Sequence, residues 1–445
     1  MRESGLGFRG GMSEDLCGHG KKARGRKDVW RGVSAFMCAF LLFAVFVVPA
    51  ASHEKLASEE DYNTLKIYGN ANMDDTIDMR DVTYIKLVIF GKKPETELCD
   101  ANYDGRVSML DVVQTKLIII GKEGKLTFID SADRVVTIDI PPKTVILNSD
   151  AGELFKAVGA DTDLVVGVSK YMIDDWRFPV LGTKENVGSG FGPDYEKIIA
   201  LDPDIVIGYR RWPGVEELEE KLKPAGIEPV IIDGYVPDKL ESEIKVLGYI
   251  YNSVERAEEL WNFWEGYFEM LEERTKDVEE KPKVYFESWS EWHSTTAANE
   301  GWWNKAIEIA GGINIAANIS DEPYVDVDPE WVVRNNPDVI IKLGSSKKRG
   351  DKEELKARRN EMMEREALAT VHAVQTGAVY GLDSEIASGA HGMISALCYA
   401  KIFYPELFAD LEPKDVYKYY CEHFLGIELP EDYCLIYPET PVPWK

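Results

Sequence analysis

The sequence contains few of the residues and motifs that mark enzymes and sites for bare metal ions. Only six histidines occur among 445 residues, and no two of them stand at a metal-ligand spacing. There is no HExxH motif, no nucleophile elbow and no phosphate-binding loop. These absences argue against the common hydrolase classes and against a protein that binds naked zinc or manganese.

Basic residues are also scarce relative to acidic ones. The chain has 51 Lys and Arg against 78 Asp and Glu, a formal charge of −27. Residues 1–52 contribute +4, which leaves −31 on the remainder. So acidic a surface repels phosphate backbones, and we expect no nucleic-acid partner. The length exceeds what one core supports, so two or three domains are expected.

Long apolar runs are confined to the beginning of the chain. The basic stretch KKARGRKDVWR (21–31) precedes an apolar run that ends in small residues (32–52). This pattern indicates an export signal, either cleaved near Ala50–His53 or retained as an anchor. Cys38 follows Phe-Met, a poor lipoprotein signal. We expect an exported protein, extracellular or attached to the cell surface, whose own membrane contact is limited to residues 1–52.

Cysteine is rare, with six residues of which two lie in the first 52. Cys398, Cys421 and Cys434 lie near the C-terminus, and Cys99 stands apart. Export permits one disulfide among the first three, but spacing does not select a pair. Buried free thiols are the alternative.

Oxygen-bearing side chains recur in two stretches thirty residues apart, NANMDDTIDMRD (70–81) and DANYDGRVSMLD (100–111). Both stretches have them at loop positions 1, 3, 5, 9 and 12, where calcium loops place ligands, and position 7 supplies a backbone carbonyl. Gly105 provides the sharp turn at position 6 of the second loop, where the first has Asp75. The predicted calcium ligands are Asn70, Asn72, Asp74, Thr76, Asp78, Asp81, Asp100, Asn102, Asp104, Arg106, Ser108 and Asp111.

A short helix with one apolar face is predicted from position 12 of each loop, and the two helices can share a small core. This pair of loop-then-helix units, within residues 60–124, resembles a dockerin domain. The resemblance implies a small α-helical domain with two structural calcium ions and a cohesin-type partner module. A calcium-stabilised spacer without a partner is the alternative.

The remainder of the chain alternates apolar strands with helices, which indicates an α/β fold. Predicted strands are TVILN (144–148), LVVGVS (164–169), DIVIGY (204–209), PVIID (229–233), KVYFES (283–288), DVIIKL (338–343) and AVYGLD (378–383). A repeat at an offset of 134 aligns DYEKIIALDPDIVIGY (194–209) with DPEWVVRNNPDVIIKL (328–343). We therefore expect two similar lobes, residues 126–237 and 282–445, joined by a helical linker (238–281) whose long helix begins near residue 253.

This two-lobed segment resembles the substrate-binding proteins of ABC importers for iron–siderophore, haem and cobalamin complexes. The resemblance lies in FIDSADRVVTIDIPPKTVI, EKIIALDPDIVI, AIEIAGGINIA and PEWVVRNNPDVII. It implies two Rossmann-like lobes, no enzymatic activity, a metal chelate bound between the lobes, and delivery to an ABC permease. In one branch of the family an arginine often follows a glycine in the C-terminal region; here GAHG places His391 there.

The same resemblance assigns roles to individual residues. Glu196 and Glu330 match the glutamates that dock each lobe onto the permease, although a carboxylate also suits the first turn of a helix. Loops after the strands are rich in aromatic and basic residues, which stack on chelate rings and pair with anionic groups. The predicted ligand contacts are Tyr171, Trp176, Arg210, Trp212, Trp289, Trp292, His293 and Trp303.

Two other functions remain open from the sequence. Dockerins commonly accompany hydrolases in extracellular carbohydrate-degrading complexes, so a dockerin-borne hydrolase is one alternative. A scaffold or adhesion protein that kept the two-lobed fold is the other.

Overall fold

The computed structural model describes residues 64–288, 294–297, 301–317, 319–320 and 324–445, with the backbone alone at 294–297 and 324. The predicted export segment (1–52) and three predicted contacts, Trp289, Trp292 and His293, lie outside the described residues. Residues 61–445 form one compact unit. Within the described ranges, no helix combines the length and the apolar character that a bilayer crossing requires.

Residues 64–124, called here the loop–helix segment, contain the two repeated loops and two helices, α1 (Met79–Ile89) and α2 (Met109–Ile119). The helices begin at loop position 10, two residues earlier than predicted. The side chains of Asp78 and Ser108 at position 9 accept hydrogen bonds from the backbone N–H two residues later. The carboxylates of Asp81 and Asp111 at position 12 accept hydrogen bonds from the backbone N–H of position 9. These capping boxes satisfy amide groups that the first turn of a helix leaves unpaired, so the helix starts where the cap stands.

The predicted small core between the two repeats is confirmed. Ala71, Val82, Ile85, Cys99 and Val112 form a buried apolar cluster between the loops and both helices. The segment is not separate from the rest, however, because other buried residues of it, including Leu65 and Ile67, belong to the main core.

A hairpin of β1 (Lys125–Ile129) and β2 (Val135–Asp139) joins the loop–helix segment to the α/β body. Tyr68 N donates to the Thr127 carbonyl at 2.9 Å, and Ile129 N donates to the Lys66 carbonyl at 2.8 Å. On the other side, Ser131 N donates to the Ile231 carbonyl at 3.0 Å. The hairpin therefore attaches the segment firmly to lobe 1.

Lobe 1 has a parallel five-stranded sheet in the order β5-β4-β3-β8-β9. Its strands are β3 (Thr144–Ile146), β4 (Val165–Val168), β5 (Glu185–Asn186), β8 (Ile205–Gly208) and β9 (Glu228–Ile231), with a small hairpin of β6 (Gly188–Ser189) and β7 (Gly192–Pro193). Its helices are α3 (Ser149–Ala157), α4 (Tyr195–Leu201) and α5 (Val215–Leu222).

Two helices then lead to the second lobe, α6 (Leu240–Ile250) and α7 (Val254–Thr275). The predicted long interlobe helix is confirmed as α7. Its 22 residues span about 33 Å at 1.5 Å per residue. It buries Leu260, Trp264 and Leu271 along one face.

Lobe 2 has a five-stranded sheet in the order β12-β10-β14-β15-β16, parallel except for its last strand. The strands are β10 (Lys283–Glu287), β12 (Ile313–Asn314), β14 (Val339–Leu343), β15 (Val379–Leu382) and β16 (Ile436–Tyr437). A separate two-stranded antiparallel sheet consists of β11 (Ser294–Ala297) and β13 (Tyr324–Val327). The helices are α8 (Trp302–Ile309), α9 (Pro329–Asn335), α10 (Lys352–Met363), α11 (His372–Thr376), α12 (Met393–Phe403) and α13 (Pro413–His423). All seven predicted strands are thus confirmed.

The predicted internal repeat is confirmed in hydrogen-bonding detail. Asp194 caps α4 through the Lys197 amide, and Asp328 caps α9 through the Trp331 amide. Both helices end at a residue in the left-handed region, Asp202 in lobe 1 and the corresponding Asn336 in lobe 2.

The aspartate that follows each of these two helices forms the same hydrogen bond in both lobes. The carboxylate of Asp204 accepts from Lys143 N at 2.7 Å, and that of Asp338 accepts from Lys283 N at 2.8 Å. In both lobes the bond links the strand after the helix to the start of the lobe's first strand.

The two sheets share a core although each has its own strands. The largest apolar cluster contains Leu154 and Ile207 of lobe 1 together with Ile341 and Leu397 of lobe 2. Separate smaller clusters cover one further face of each sheet. The four described cysteines, Cys99, Cys398, Cys421 and Cys434, are buried free thiols.

Helix α10 lies so close to β15 that only glycine fits at the contact. A Cβ on Gly381 would stand 2.2 Å from the Leu355 carbonyl oxygen, a backbone atom. We predict that Gly381→Ala lowers the free energy of unfolding by about 3 kcal/mol or more, at the upper end of the usual cost of overpacking a core. A Cβ on Gly124 meets nothing within 4 Å, so Gly124→Ala is the matched control. Denaturant midpoints measure both, and equal midpoints for the two variants would contradict the predicted contact.

Candidate functional site

Five aromatic rings form a continuous surface, called here the aromatic wall, at the carboxyl edge of the lobe 1 sheet. Phe191 lies edge-to-face with Tyr171 at 5.9 Å and with Trp212 at 5.6 Å between ring centroids. Tyr209 lies 6.1 Å from Phe191, in a stacked orientation, and 6.1 Å from Tyr235. Such geometries suit aromatic pairs and leave ring faces for a flat ligand.

The sheet topology brings these rings together. Tyr171 follows β4, Tyr209 follows β8 and Tyr235 follows β9, and parallel strands end at a common edge. Tyr171 and Phe191 are 44% and 53% exposed, which is high for large aromatic side chains. The wall is therefore an exposed aromatic surface rather than part of the core.

Phe191 is absent from the predicted contacts although it touches three of the four other rings of the wall. It stands in GSGFG (188–192), at the turn of the β6–β7 hairpin. A Cβ on Gly190 would stand 2.6 Å from the Leu147 carbonyl oxygen, so glycine lets the hairpin approach the end of β3. An aromatic residue between glycines in a loop that follows a strand is the signal that identifies it.

Arg210 is held beside the wall by a buried carboxylate. Its backbone N–H donates to Asp233 Oδ1 at 3.0 Å, and its Nε lies 3.4 Å from Asp233 Oδ2. Glu243 supports Asp233 by accepting from the amides of Asp233 and Gly234, each at 2.8 Å. Burial raises the pKa of Glu243 to about 7. These contacts hold the backbone and the guanidinium of Arg210 against the Asp233 carboxylate.

The other described predicted contacts, Trp176 and Trp303, pack on rings that do not belong to the aromatic wall. Trp176 is half-buried with its ring centroid 5.8 Å from that of Tyr433 in lobe 2. Trp303 is half-buried and stacks on Phe286 at 5.1 Å. The structure therefore brings together Tyr171, Arg210 and Trp212 of the predicted set.

A network of buried charged groups joins loops of the two lobes. Arg177 of lobe 1, with 4% of its side chain exposed, pairs with Glu153 at 2.9 Å and with Asp175 at 2.8 Å. It also pairs with Glu385 of lobe 2. Arg349 of lobe 2 contacts Asp175 and Glu385, each at 2.6 Å.

His391 completes this interlobe network. Its Nδ1 is hydrogen-bonded to Glu153 and its Nε2 to the backbone carbonyl of Glu385. The Tyr420 hydroxyl donates to Glu153 at 2.8 Å. The predicted basic position in the C-terminal region is thus occupied by a buried histidine that contacts the opposite lobe.

The pKa values follow from these pairings. Burial disfavours the charged form of Glu153, but the charges of His391 and Arg177 outweigh it and hold its pKa at about 2. Asp175 is likewise held at a pKa of about 2, since Arg177 and Arg349 outweigh its burial. Burial lowers the pKa of His391, yet the charge and hydrogen bond of Glu153 raise it above its ordinary value.

Glu153, Glu385 and His391 are close enough to one another to surround a cation, with ligand atoms within 4.8 Å. Arg177 already bonds both carboxylates, and both nitrogens of His391 are engaged. The charges are compensated inside the protein, so the geometry favours an ionic network over a metal site.

Glu196 and Glu330, the predicted permease-docking residues, occupy equivalent positions. Each is exposed in the first turn of its helix, α4 in lobe 1 and α9 in lobe 2. The repeat thus presents one carboxylate on each lobe.

The two repeated loops have features of oxygen-ligand sites. Asn70, at position 1, is fully buried and its Oδ1 has no hydrogen-bond partner. Asp81 and Asp111, at position 12, are fully buried and accept from backbone amides of their own loops. Burial raises the pKa of Asp81 to about 6. A buried carboxylate and an orphaned amide oxygen fit a hard cation such as calcium.

Comparisons with known proteins agree on the α/β part of the chain. A family model described as "Periplasmic binding protein" matches residues 145–386. The chain is 26% identical over 224 residues to a "Cobalamin-binding protein" of Halobacterium salinarum, covering 48% of this chain and 57% of that protein. It is 28% identical over 218 residues to a "Vitamin B12-binding protein" of Vibrio cholerae, covering 48% of this chain and 75% of that protein.

Two solved structures show the same fold. The TroA-like periplasmic binding protein FepB from Veillonella parvula is 23% identical with a TM-score of 0.57, covering 68% of this chain and 97% of that one. The molybdate periplasmic binding protein MolA of Haemophilus influenzae is 18% identical with a TM-score of 0.58, covering 68% of this chain and 99% of that one.

These proteins are binding proteins, in agreement with the expected absence of enzymatic activity. The match spans just over half, 57%, of the Halobacterium protein. The name of that relative therefore does not identify the ligand of this chain. The family model, in contrast, matches more than half of this chain and includes most of both sheets. The chain belongs to the periplasmic binding protein family.

Proposed function

We propose that this protein is the substrate-binding component of an ABC importer and captures a bulky metal chelate of the cobalamin, haem or siderophore class between its lobes. The observation that carries the proposal is the aromatic wall. Five rings at one sheet edge, two of them strongly exposed, offer stacking faces over an area suited to a macrocycle.

A corrinoid is the first candidate within this class. The names of the Halobacterium and Vibrio relatives state that they bind cobalamin or vitamin B12. Cobalamin carries mainly amide side chains around its ring, and such a ligand gains more from stacking than from ion pairing. Haem and ferric siderophores are the second candidates, because their anionic groups suit Arg210.

We predict that Tyr171→Ala and Phe191→Ala each weaken chelate binding about tenfold or more, because each removes an exposed stacking face. Titrations of intrinsic tryptophan fluorescence with cyanocobalamin, haemin and a ferric siderophore measure the affinity. Tyr419→Ala is the matched control, since Tyr419 is 48% exposed, close to the 44% of Tyr171, but lies on α13. Wild-type protein that binds none of the three ligands would refute the chelate proposal; unchanged affinity in both wall variants would refute the role of the wall.

Delivery to a permease requires a surface that the transporter recognises on both lobes at once. Glu196 and Glu330 provide such a pair through the internal repeat. We propose that they bind basic residues of the permease.

We predict that the double variant Glu196→Lys/Glu330→Lys lowers ligand uptake by cells about tenfold and leaves ligand affinity unchanged, because it reverses both docking charges. The control is Glu255→Lys/Glu353→Lys, two exposed glutamates in the first turns of α7 and α10. Both double variants lose the same favourable interaction with a helix N-terminus, about 0.3–1 kcal/mol each. Equal uptake by the two would contradict the docking role.

We further propose that the loop–helix segment is a calcium-stabilised dockerin-like module that binds a cohesin-type partner and tethers the receptor outside the cell. Both loops place oxygen ligands at the same positions, and the buried Asn70 oxygen has no partner. The two helices also expose apolar side chains at equivalent places, Met79 with Met109 and Phe90 with Ile120. Such a paired apolar surface suits a protein partner.

We predict that the wild-type chain binds two calcium ions, and that Asp81→Asn and Asp111→Asn each remove one of them, because position 12 supplies the buried carboxylate. At a calcium concentration one hundred times the Kd, binding at each site stabilises the folded segment by about 2.7 kcal/mol. Isothermal titration calorimetry gives the stoichiometry. Asp139→Asn, at an exposed aspartate on β2, is the control. A wild-type chain without stoichiometric calcium would exclude the calcium site.

A further inference from the structure

The loop after β15, residues 384–392, lies directly on the beginning of α3 in the other lobe. Gly389 has a positive φ of 78°, and a Cβ there would stand 2.8 Å from Asp150 Oδ1. The same loop carries Glu385 and His391, whose partners are Arg177 and Glu153 of lobe 1. A short stretch of lobe 2 is thus fastened to lobe 1 by buried ionic contacts.

Among the groups that are directly ion-paired in this contact, the charges balance only when His391 is protonated. The paired carboxylates are Glu153, Asp175 and Glu385, and the fixed cations are Arg177 and Arg349. A protonated His391 is the third cation, and both of its ring nitrogens face hydrogen-bond acceptors. Loss of its proton leaves one buried carboxylate without a compensating charge, which is costly at this degree of burial.

We propose that the Glu153–His391 pair, supported by Arg177, is a proton-dependent latch between the two lobes, closed while His391 is protonated and loosened when the proton leaves. Histidine is the side chain whose ordinary pKa lies nearest neutrality, so small changes in its surroundings bring its charge under the control of external pH. The latch goes beyond ligand capture, because it concerns the coupling of the lobes with or without cargo.

Several ionisable groups surround His391 and contribute to any pH dependence. They lie on every element packed against it: Asp150, Glu153 and Lys156 on α3, Asp175 and Arg177 after β4, Arg349 after β14, Asp383 and Glu385 after β15, and Tyr417, Tyr420 and Cys421 on α13. A measured pH profile of the wild type alone therefore mixes several titrations.

The direction of each titration can be worked out. The pKa of His391 is raised on folding, so its stabilising contribution is fully present below its ordinary pKa of 6.5 and is lost as the pH rises through the folded value. The pKa values of Glu153 and Asp175 are held at about 2, so their contributions are lost only as the pH falls from their ordinary values toward 2. The latch is strongest between these limits, at mildly acidic pH.

Neighbouring groups act in other windows or with the opposite sign. Burial raises the pKa of Asp150 to about 6 and that of Asp383 to about 7. Each carboxyl group therefore lowers the stability of the folded state as the pH rises from its ordinary pKa to its pKa in the folded protein, and its contribution is constant at higher pH. Burial lowers the pKa of Lys156 to about 8, so this lysine favours folding as the pH rises beyond that value. The difference between wild type and a His391 variant isolates the latch from these contributions.

The test compares the full-length wild type with His391→Gln from pH 5 to pH 9. Glutamine keeps a hydrogen-bond donor but never carries a charge. We expect the variant to unfold about 5 °C below the wild type near pH 6, with the difference falling to less than half near pH 9. His423→Gln is the control, since the His423–Glu259 pair is largely exposed and a constant small difference is expected.

A second measurement reports on the latch itself rather than on overall stability. Hydrogen exchange of the amides in residues 384–395, expressed as protection factors, should show faster opening in the wild type above the pKa of His391. In His391→Gln the protection should be low at all pH values. If that variant does not fold, the wild-type profile and Tyr420→Phe, which removes one hydrogen bond to Glu153, still test the proposal: Tyr420→Phe should keep the wild-type dependence on pH.

Two results would overturn the latch. The first is a stability difference and protection factors that stay constant from pH 6 to pH 9. The second is a stoichiometric divalent metal that copurifies with the wild type and is lost in His391→Gln, since the cluster would then be a metal site.

Discussion

Ion pairs between buried groups of opposite lobes are the constraint on which this structure depends. Arg177 and Glu153 are both almost fully buried in lobe 1, and the partners that complete their hydrogen bonding, Glu385, His391 and Tyr420, all belong to lobe 2. Arg177 has the carboxylates of Glu153 and Asp175 within lobe 1, but Glu385 and His391 of lobe 2 complete the pairing of these buried charges. Buried charges with incomplete pairing are costly, so the native arrangement of these loops depends on both lobes. The main apolar core likewise contains residues of both lobes.

The start of α3 contacts both the network and the loops that carry the aromatic wall. Asp150 at the start of α3 interacts electrostatically with Arg177 and His391 on one side and with Tyr209 on the other. Asn148, which caps α3, also donates to the carbonyls of Ile232 and Asp233 at 2.7 and 2.9 Å, and so fixes the loop before Tyr235. One helix terminus thus connects the interlobe contact with the proposed ligand surface.

Local sequence patterns predicted the elements of this fold but not the contacts between them. The strands were readable because each is a short run of Val and Ile bounded by Asp, Gly or Pro, and the repeat was readable because its Asp-Glu-Pro-Asp spacing is local. The network residues, in contrast, lie between positions 153 and 420 and share no local pattern. Trp176 and Trp303 show the same limit, since each packs on a neighbouring ring. The local sequence around a tryptophan in a loop or at the start of a helix does not distinguish a residue that lines a site from one that packs on a neighbouring ring. Phe191 was missed because its three ring partners come from two other loops, those after β4 and β8.

The loop–helix segment is better understood as part of lobe 1 than as a loose appendage. Only residues 120–124 separate the end of α2 from β1, and the segment is hydrogen-bonded to the β1–β2 hairpin from both sides of that connection. The hairpin in turn is bonded to β9, since Asp130 accepts from Ile231 N at 3.1 Å, and β9 leads to the Asp233 loop that holds Arg210. A flexible linker would let the loop–helix segment and the α/β body take many orientations relative to each other. Here a continuous path of hydrogen bonds runs from the repeated loops through the β1–β2 hairpin and β9 to the loop that carries Arg210, so any attachment at the loop–helix segment would also fix the direction in which the aromatic wall of lobe 1 faces.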